Sequence, residues 1–229
     1  MEIYKYPTKY GWYINSIMED AIMRGHIERV KEFLLDPQYD VTERNDMAFQ
    51  TSLYQSSREI RYLFLKHPLV NVSVNKNIAL VVSIEDDDAF ACELLLKHPN
   101  FVINQNTNFL MFSIARENYK IFELFLDDDR FTPYDKDNRV LKTAIGNGDP
   151  KFVKRLLQDK RVDVKLNTDA VLKHAVSQGK LDTVLVLLDD ARVSPRGISK
   201  SVIETAERFA CGKDKQEIIQ VLTLLASDM

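Results

Sequence analysis

Apolar positions return along this chain in blocks, on a rung of 30 or 31 residues. The most regular place in each block is a small residue: Ala21, Ser52, Ser83, Ser113, Ala144, Ala175 and Ala206, spaced by 31, 31, 30, 31, 31 and 31 residues. Three residues before these anchors stand Met18, Phe49, Leu80, Leu110, Leu141, Leu172 and Ile203. One residue after them come Ile22, Leu53, Ile84, Ile114, Ile145 and Val176, with Glu207 the exception. Offsets of minus three, zero and plus one share one side of an α-helix. The block therefore predicts a helix with an inward stripe, whose small centre lets a neighbouring backbone come close.

A second stripe follows. Twelve residues after the anchors lie Phe33, Phe64, Leu95, Phe125, Leu156 and Leu187; thirteen after lie Leu34, Leu65, Leu96, Leu126, Leu157 and Leu188. Val30, Cys92, Phe122, Val153 and Val184, nine after, complete the face, and Arg61 breaks it. Between the stripes Gly25, Gly148 and Gly179 suit a helix that stops and reverses. Ser56, Asp87, Glu117 and Ala210 take that place elsewhere and predict less ideal turns. Connectors such as Asp36-Pro37-Gln38-Tyr39-Asp40-Val41 and His67-Pro68-Leu69-Val70-Asn71-Val72 end the second helix and tuck an alternating apolar pair under the stack. Asn15, Asp46, Asn77, Asn138 and Asp169 then suit helix N-caps. A fixed period of this size means small units stacked side by side.

The run from Ala21 to Leu35, with its Gly25-His26 turn, Val30 and Phe33-Leu34-Leu35, resembles the central pattern of the ankyrin repeat family, and Ala175 to Leu188 repeats the likeness. The resemblance covers roughly residues 15 to 226. It departs from the family in two ways. The Thr-Pro-Leu-His hallmark is missing, and the period is shorter than the usual ~33 residues. The connectors resemble those of divergent ankyrin repeats of giant viruses of amoebae, also found in some amoebae and intracellular bacteria. The fold expected is all-α, an ankyrin-like α-solenoid of about seven helix-turn-helix repeats with shortened or absent β-hairpin fingers. One domain spans 1–229, with a cap at 1–14 and repeats near 15–45, 46–76, 77–106, 107–137, 138–168, 169–198 and 199–229. The aromatic segment of Tyr4, Tyr6, Tyr10, Trp12 and Tyr13 is read as a cap or a docking segment. At the other end, Val221, Leu224 and Leu225 recover the second stripe after six extra residues.

With 229 residues, 45% of them hydrophobic, the chain has material for a continuous core. A net charge of −3 without a basic tract gives no electrostatic footprint for nucleic acid. Neither a signal-like start nor an 18-residue apolar run is present, so no membrane role and a cytoplasmic location are expected, the host cytoplasm if the chain is viral. Cys92 and Cys211 lie several repeats apart, which suits reduced thiols.

No catalytic constellation, cofactor cradle or metal cage is legible. Gly146-Asn147-Gly148 is read as an inter-helix turn. His67 and His98 occupy one connector position a repeat apart, too far for one ion at the ~10 Å of packed layers, and are read as connector-stabilising. Glu85-Asp86-Asp87-Asp88 and Asp127-Asp128-Asp129 are read as solvated turn charges, with docking of a basic partner the alternative.

Binding through the concave face of first helices and connectors is what the resemblance implies. Exposed first-helix positions fall just before the anchor and two or three after it. There Tyr54, Val82 and Phe112, with Val81 and Met111 alongside, form a candidate patch edged by Arg24, Gln55, Asp86 and Arg116. Three uses compete for it: a protein partner, folded-over connectors, or a second copy. The expected function is a non-enzymatic protein-interaction scaffold, monomer or weak homodimer. The alternative is a self-associating structural protein using the same patch.

Overall fold

The computed structural model describes residues 11–55, 57–103, 108–134, 137–162, 164, 168–193 and 198–227. Residues 1–10 of the expected N-terminal cap, and the side chains of Trp12 and Tyr13, lie outside the described set, as does Ser56. The protein is all-α, and no strand occurs among the described residues. Every block gives helix, turn, helix. The first helices are α1 (Gly11–Met23), α3 (Glu43–Leu53), α5 (Val74–Glu85), α7 (Phe109–Ala115), α9 (Arg139–Asn147), α11 (Thr168–Gln178) and α13 (Lys200–Phe209). The second helices are α2 (Ile27–Leu35), α4 (Arg58–Leu65), α6 (Ala89–Lys97), α8 (Tyr119–Leu126), α10 (Pro150–Gln158), α12 (Leu181–Leu188) and α14 (Lys215–Ser227).

Two compact units divide the chain, Met1–Thr107 with α1 to α6 and Asn108–Met229 with α7 to α14. In the first unit, α1 packs on α3 and α3 on α5, while α2 packs on α4 and α4 on α6. In the second, α7, α9, α11 and α13 pack in that order, and α10, α12 and α14 do the same. First helices thus layer on first helices and second on second. All seven anchors are buried, and so are the apolar residues around them except Ile203, which is half-buried, and Glu207, which is exposed. The buried hydroxyls of Ser52, Ser83 and Ser113 bond back to Phe49, Ala79 and Leu110 carbonyls of their own helices at 2.6, 2.7 and 2.9 Å. A neighbouring layer therefore meets them as it meets alanine.

The turns of the first, third and fourth blocks close in the same way. The anchor carbonyl accepts the N–H five residues on, from His26, Asp88 and Asn118 at 2.9, 2.8 and 3.0 Å. The next carbonyl accepts the N–H of Gly25, Asp87, Glu117 or Gly179. This double closure needs a left-handed residue. Gly25, Gly148 and Gly179 supply it freely, whereas Asp87 (φ 50°) and Glu117 (φ 61°) are forced into it, the strain behind the expected less ideal turns. Gly179 is doubly required, because a methyl group there would run into the Cys211 carbonyl oxygen.

Asp46, Asn77 and Asn138 do not cap the first helices through their side chains as the spacing suggested. They are left-handed themselves, at φ 55°, 63° and 51°, a conformation Asp and Asn tolerate better than most residues. Two of them reach forward instead: Asp46 Oδ1 accepts from the Asn71 N–H at 2.9 Å, and Asn77 Nδ2 donates to the Val102 carbonyl at 2.8 Å. Asp169 lies inside α11 and accepts from Ser199 Oγ at 2.8 Å. Side-chain caps sit mainly on second helices, where Ser57, Asp88 and Asp149 receive the N–H groups of Ile60, Ala91 and Lys151. The connectors bury Val41, Val70, Val72, Phe101, Phe131, Val162, Val164 and Val193. The last block departs from expectation. Ile218 and Leu222 are buried, while Leu224 and Leu225 are exposed. Helix α14 starts nine residues after its anchor rather than six, so Ile218 already occupies the twelfth place without inserted residues.

Replacing Glu117 with glycine should stabilise the protein by about 1 kcal/mol, by releasing the left-handed strain. Replacing Gly179 with alanine should cost more than about 2 kcal/mol, adding a backbone clash to that strain. Denaturant unfolding checks both, and equal stability of the Gly179→Ala protein would refute the close approach.

Candidate partner-binding surface

Arg61 is the one cation in the buried column of second-helix residues, only 2% exposed. Its reason lies in its own turn. In the first, third, fourth and sixth blocks the carbonyl just after the anchor takes an N–H from the left-handed residue; here that carbonyl, Leu53 O, takes Arg61 Nη2 at 3.1 Å. The guanidinium does a backbone group's work at the end of α3. Its charge is met from the next block. Asp86 Oδ2 stands 2.8 Å from Nη1 and Asp88 Oδ2 at 3.8 Å. The Asp86 contact is off-axis for a directed hydrogen bond, and Nε has no partner among the described residues. Asp88, equally buried, also accepts from Tyr62 Oη at 2.9 Å and caps α6. Arg58 donates to the Asp86 carbonyl at 2.7 Å. The acidic turn of the third block is therefore built around Arg61, with Asp86 and Asp88 acting as its counter-ions. Spacings of 25 and 27 residues, one rung less the turn, were the available signal.

Sequence placed Asp86 at the edge of the patch; the structure gives it to Arg61. Val82 is the other displacement. It is 9% exposed, a buried residue of α5, and Val81 beside it is half-buried. Tyr54 closes α3 and is 72% exposed, with Gln55 half-buried next to it. One block earlier, at the same place relative to its anchor, Met23 is 57% exposed. Arg24 is exposed and paired with Asp20 at 2.8 Å, which raises its pKa through that hydrogen bond and charge. The first unit therefore presents Met23 and Tyr54 as one short exposed row, beside Arg24. In the second unit, Met111 and Phe112 are half-buried and Arg116 is exposed, its guanidinium 5.7 Å over the Phe112 ring. Met23 is legible in the sequence as an exposed position, and its alignment with Tyr54 follows from α1 packing on α3.

The connectors are laced by side chains bonding to backbone, in two styles. In the first unit His98 Nε2 meets the His67 carbonyl at 3.0 Å, and Asn100 Nδ2 donates to the carbonyls of Pro68 and Val70 at 2.8 and 3.2 Å. In the second unit the same two places read Asp-x-Arg. Arg161 reaches back to the carbonyls of Leu126 and Phe131, and Arg192 to those of Leu157 and Val162. Each arginine is held by the aspartate two residues before it, Asp159 or Asp190, and Arg130 is held likewise by Asp128. Hydrogen bonds from these arginines keep the three carboxyls below the usual range. The signal for these seams in the sequence is the recurrence of Asp-x-Arg every 31 residues. The acidic run after α8 is likewise engaged, with Asp127 meeting Arg155 and Asp129 meeting Arg161.

Cys92 is buried and Cys211 exposed, and both are free thiols. Burial pushes the Cys92 thiol pKa up, with nearby carboxylates adding to it. Among the described residues, no group of three or more His, Cys, Asp or Glu is placed to hold a metal ion. No described helix is long and apolar enough to cross a membrane. Set beside known protein families, curated proteins and solved structures, the chain matches none of them.

Arg61→Leu restores the apolar column but strips Asp88 and the Leu53 carbonyl of their partner. It should cost about 3 kcal/mol, and adding Asp86→Asn with Asp88→Ser, which keeps a cap on α6, should recover part of that. Denaturant midpoints decide it: an Arg61→Leu protein as stable as the parent would show that the guanidinium closes nothing.

Proposed function

We propose that the chain is a divergent ankyrin-like repeat protein and works as a non-enzymatic scaffold. It binds a protein partner through its first-helix face, the concave one in the ankyrin family. The observation carrying this reading is the exposed row of Met23 and Tyr54 in the first unit, where the other described large apolar side chains of the first helices are buried or half-buried. An aromatic residue held at a helix end, with few rotatable bonds and a charged neighbour, has the character of an interface hot spot. Layered hairpins fix such residues before encounter, which lowers the ordering cost of association. His98 and the buried carboxylates Asp46 and Asp88 are bonded into seams between blocks, which favours a framework role for them. Val82 and Asp86 drop out of the contact set, since one is core and the other is bound to Arg61. Arg24, Tyr54, Gln55 and Val81 remain in the first unit, and Met111, Phe112 and Arg116 in the second. The proposed location is cytoplasmic.

Affinity capture from the source cell, read by mass spectrometry, tests the proposal with the parent protein and a Tyr54→Ala, Phe112→Ala variant. A captured protein whose binding weakens about thirtyfold in the variant is the expected result, matching the ~2 kcal/mol of a hot spot. Undiminished capture by a folded variant would reject this surface. A doubled mass in solution, abolished by the same substitutions, would favour a second copy as the occupant.

A further inference from the structure

We propose that the chain's own residues 1–10 stand in for a layer before the first block, docking in extended form on the side of α2 turned away from α4. Two positions mark that side. The residues twelve and eighteen after the anchor are buried in each of the second to sixth blocks, as Phe64 with Val70 and Phe125 with Phe131 illustrate. Phe33 and Tyr39, the same pair in the first block, are half-buried. Their rings lie 5.8 Å apart, with the Arg29 guanidinium 4.8 Å over Phe33. Lys31 reaches Glu59 on α4 at 3.6 Å. Helical phase turns Arg29 and Phe33 about 160° from Lys31, so their flank faces away from α4. For α4 itself, the place before it is taken by α2.

Reach, pattern and charge favour this occupant. Helix α1 has 13 residues and α2 has 9, so at a rise of about 1.5 Å per residue Gly11 lies roughly 6 Å past the end of α2. Ten extended residues reach about 33 Å, ample for a return along the ~14 Å of α2. Tyr4, Tyr6 and Tyr10 alternate with Lys5, Pro7 and Lys9, and Thr8 completes the row. A period of two puts the tyrosines on one side of an extended segment, and Pro7 disfavours a helix interior there. Tyrosine suits a half-wet site, since its ring packs while its hydroxyl keeps water. Along the first hairpin Glu19, Asp20, Glu28, Glu32 and Asp36 outnumber Arg24, Arg29 and Lys31, whereas the segment holds Lys5 and Lys9 against Glu2.

A tether this short gives a local concentration on the order of millimolar, which favours the chain's own segment over a second copy. Docked there, the segment shields the Phe33–Tyr39 pair as a neighbouring layer shields its counterparts. It also keeps that flank from head-to-tail contact with other copies, which would not close on itself. The flank belongs to the second-helix layer and does not include Met23 or Tyr54, which lie at the ends of first helices.

Oxidative cross-linking of the full chain tests this, in a Cys211→Ser background that leaves Cys92, which is buried. Tyr6→Cys with Arg29→Cys should close a disulfide within one molecule at least about tenfold faster than Tyr6→Cys with Glu28→Cys. Loop length is matched in the two pairs, and only docking on the Arg29 side favours the first. Adding Tyr4→Ser and Tyr10→Ser should erase the preference. Equal rates in the two pairs, a preference that survives loss of the tyrosines, or a disulfide formed between molecules would overturn the proposal. Should Arg29→Cys fail to fold, hydrogen exchange decides it. Tyr4→Ser, Tyr6→Ser and Tyr10→Ser together should lower amide protection across 30–36 at least about fivefold, and unchanged protection would equally overturn it.

Discussion

Everything in this protein follows from one demand at the end of each first helix: its last carbonyls must find donors while the chain reverses within a few residues. In the first, third and fourth blocks a left-handed residue four places after the anchor meets that demand by aiming its own N–H and the next back at the helix. Only when the reversal is this tight do the first and second helices of a block lie close enough to share one core. The small anchor serves the same end twice. Its carbonyl closes the turn, and its short side chain lets the next layer approach.

Where the turn lacks its glycine, the cost appears elsewhere. Asp87 and Glu117 bear it as backbone strain, whereas the second block replaces the missing closure with a guanidinium. A cation inserted into an apolar column is acceptable only with neutralising partners at hand, and Asp86 and Asp88 from the following layer supply them. The acidic turn is thus a consequence of an irregular turn one block earlier. This dependence couples the second and third blocks more specifically than apolar packing alone could, since it fixes which block must follow.

The periodic part of the fold was legible because burial imposes period. The anchors, both stripes, the glycine turns and the connector pairs all came from spacing within one helix or one block. What escaped reading came from partners in other blocks. Arg61 read only as an interruption, because its counter-ions lie in the next rung. Asp46 and Asn77 read as caps, since a polar residue before a helix is ambiguous until its forward reach is seen. Val82 read as exposed from helical phase alone, although it is buried. The last block misled through the turn at Cys211 and Gly212, where a late helix start imitates inserted residues. Of the proposed surface, Tyr54 and Arg24 stand in the open as helical phase suggested, while Asp86 was claimed by an interaction that no single block contains.

The lacing side chains have a further implication for how such a molecule changes over generations. Arg161, Arg192 and Asn100 grip main-chain oxygens, which every preceding block offers whatever its side chains. A rung copied or deleted as a whole would present its neighbours with the same oxygens, so such seams need no matched change across them. Along such seams length is thereby free to drift in units of one hairpin, whereas the Arg61 pair of blocks has to travel together.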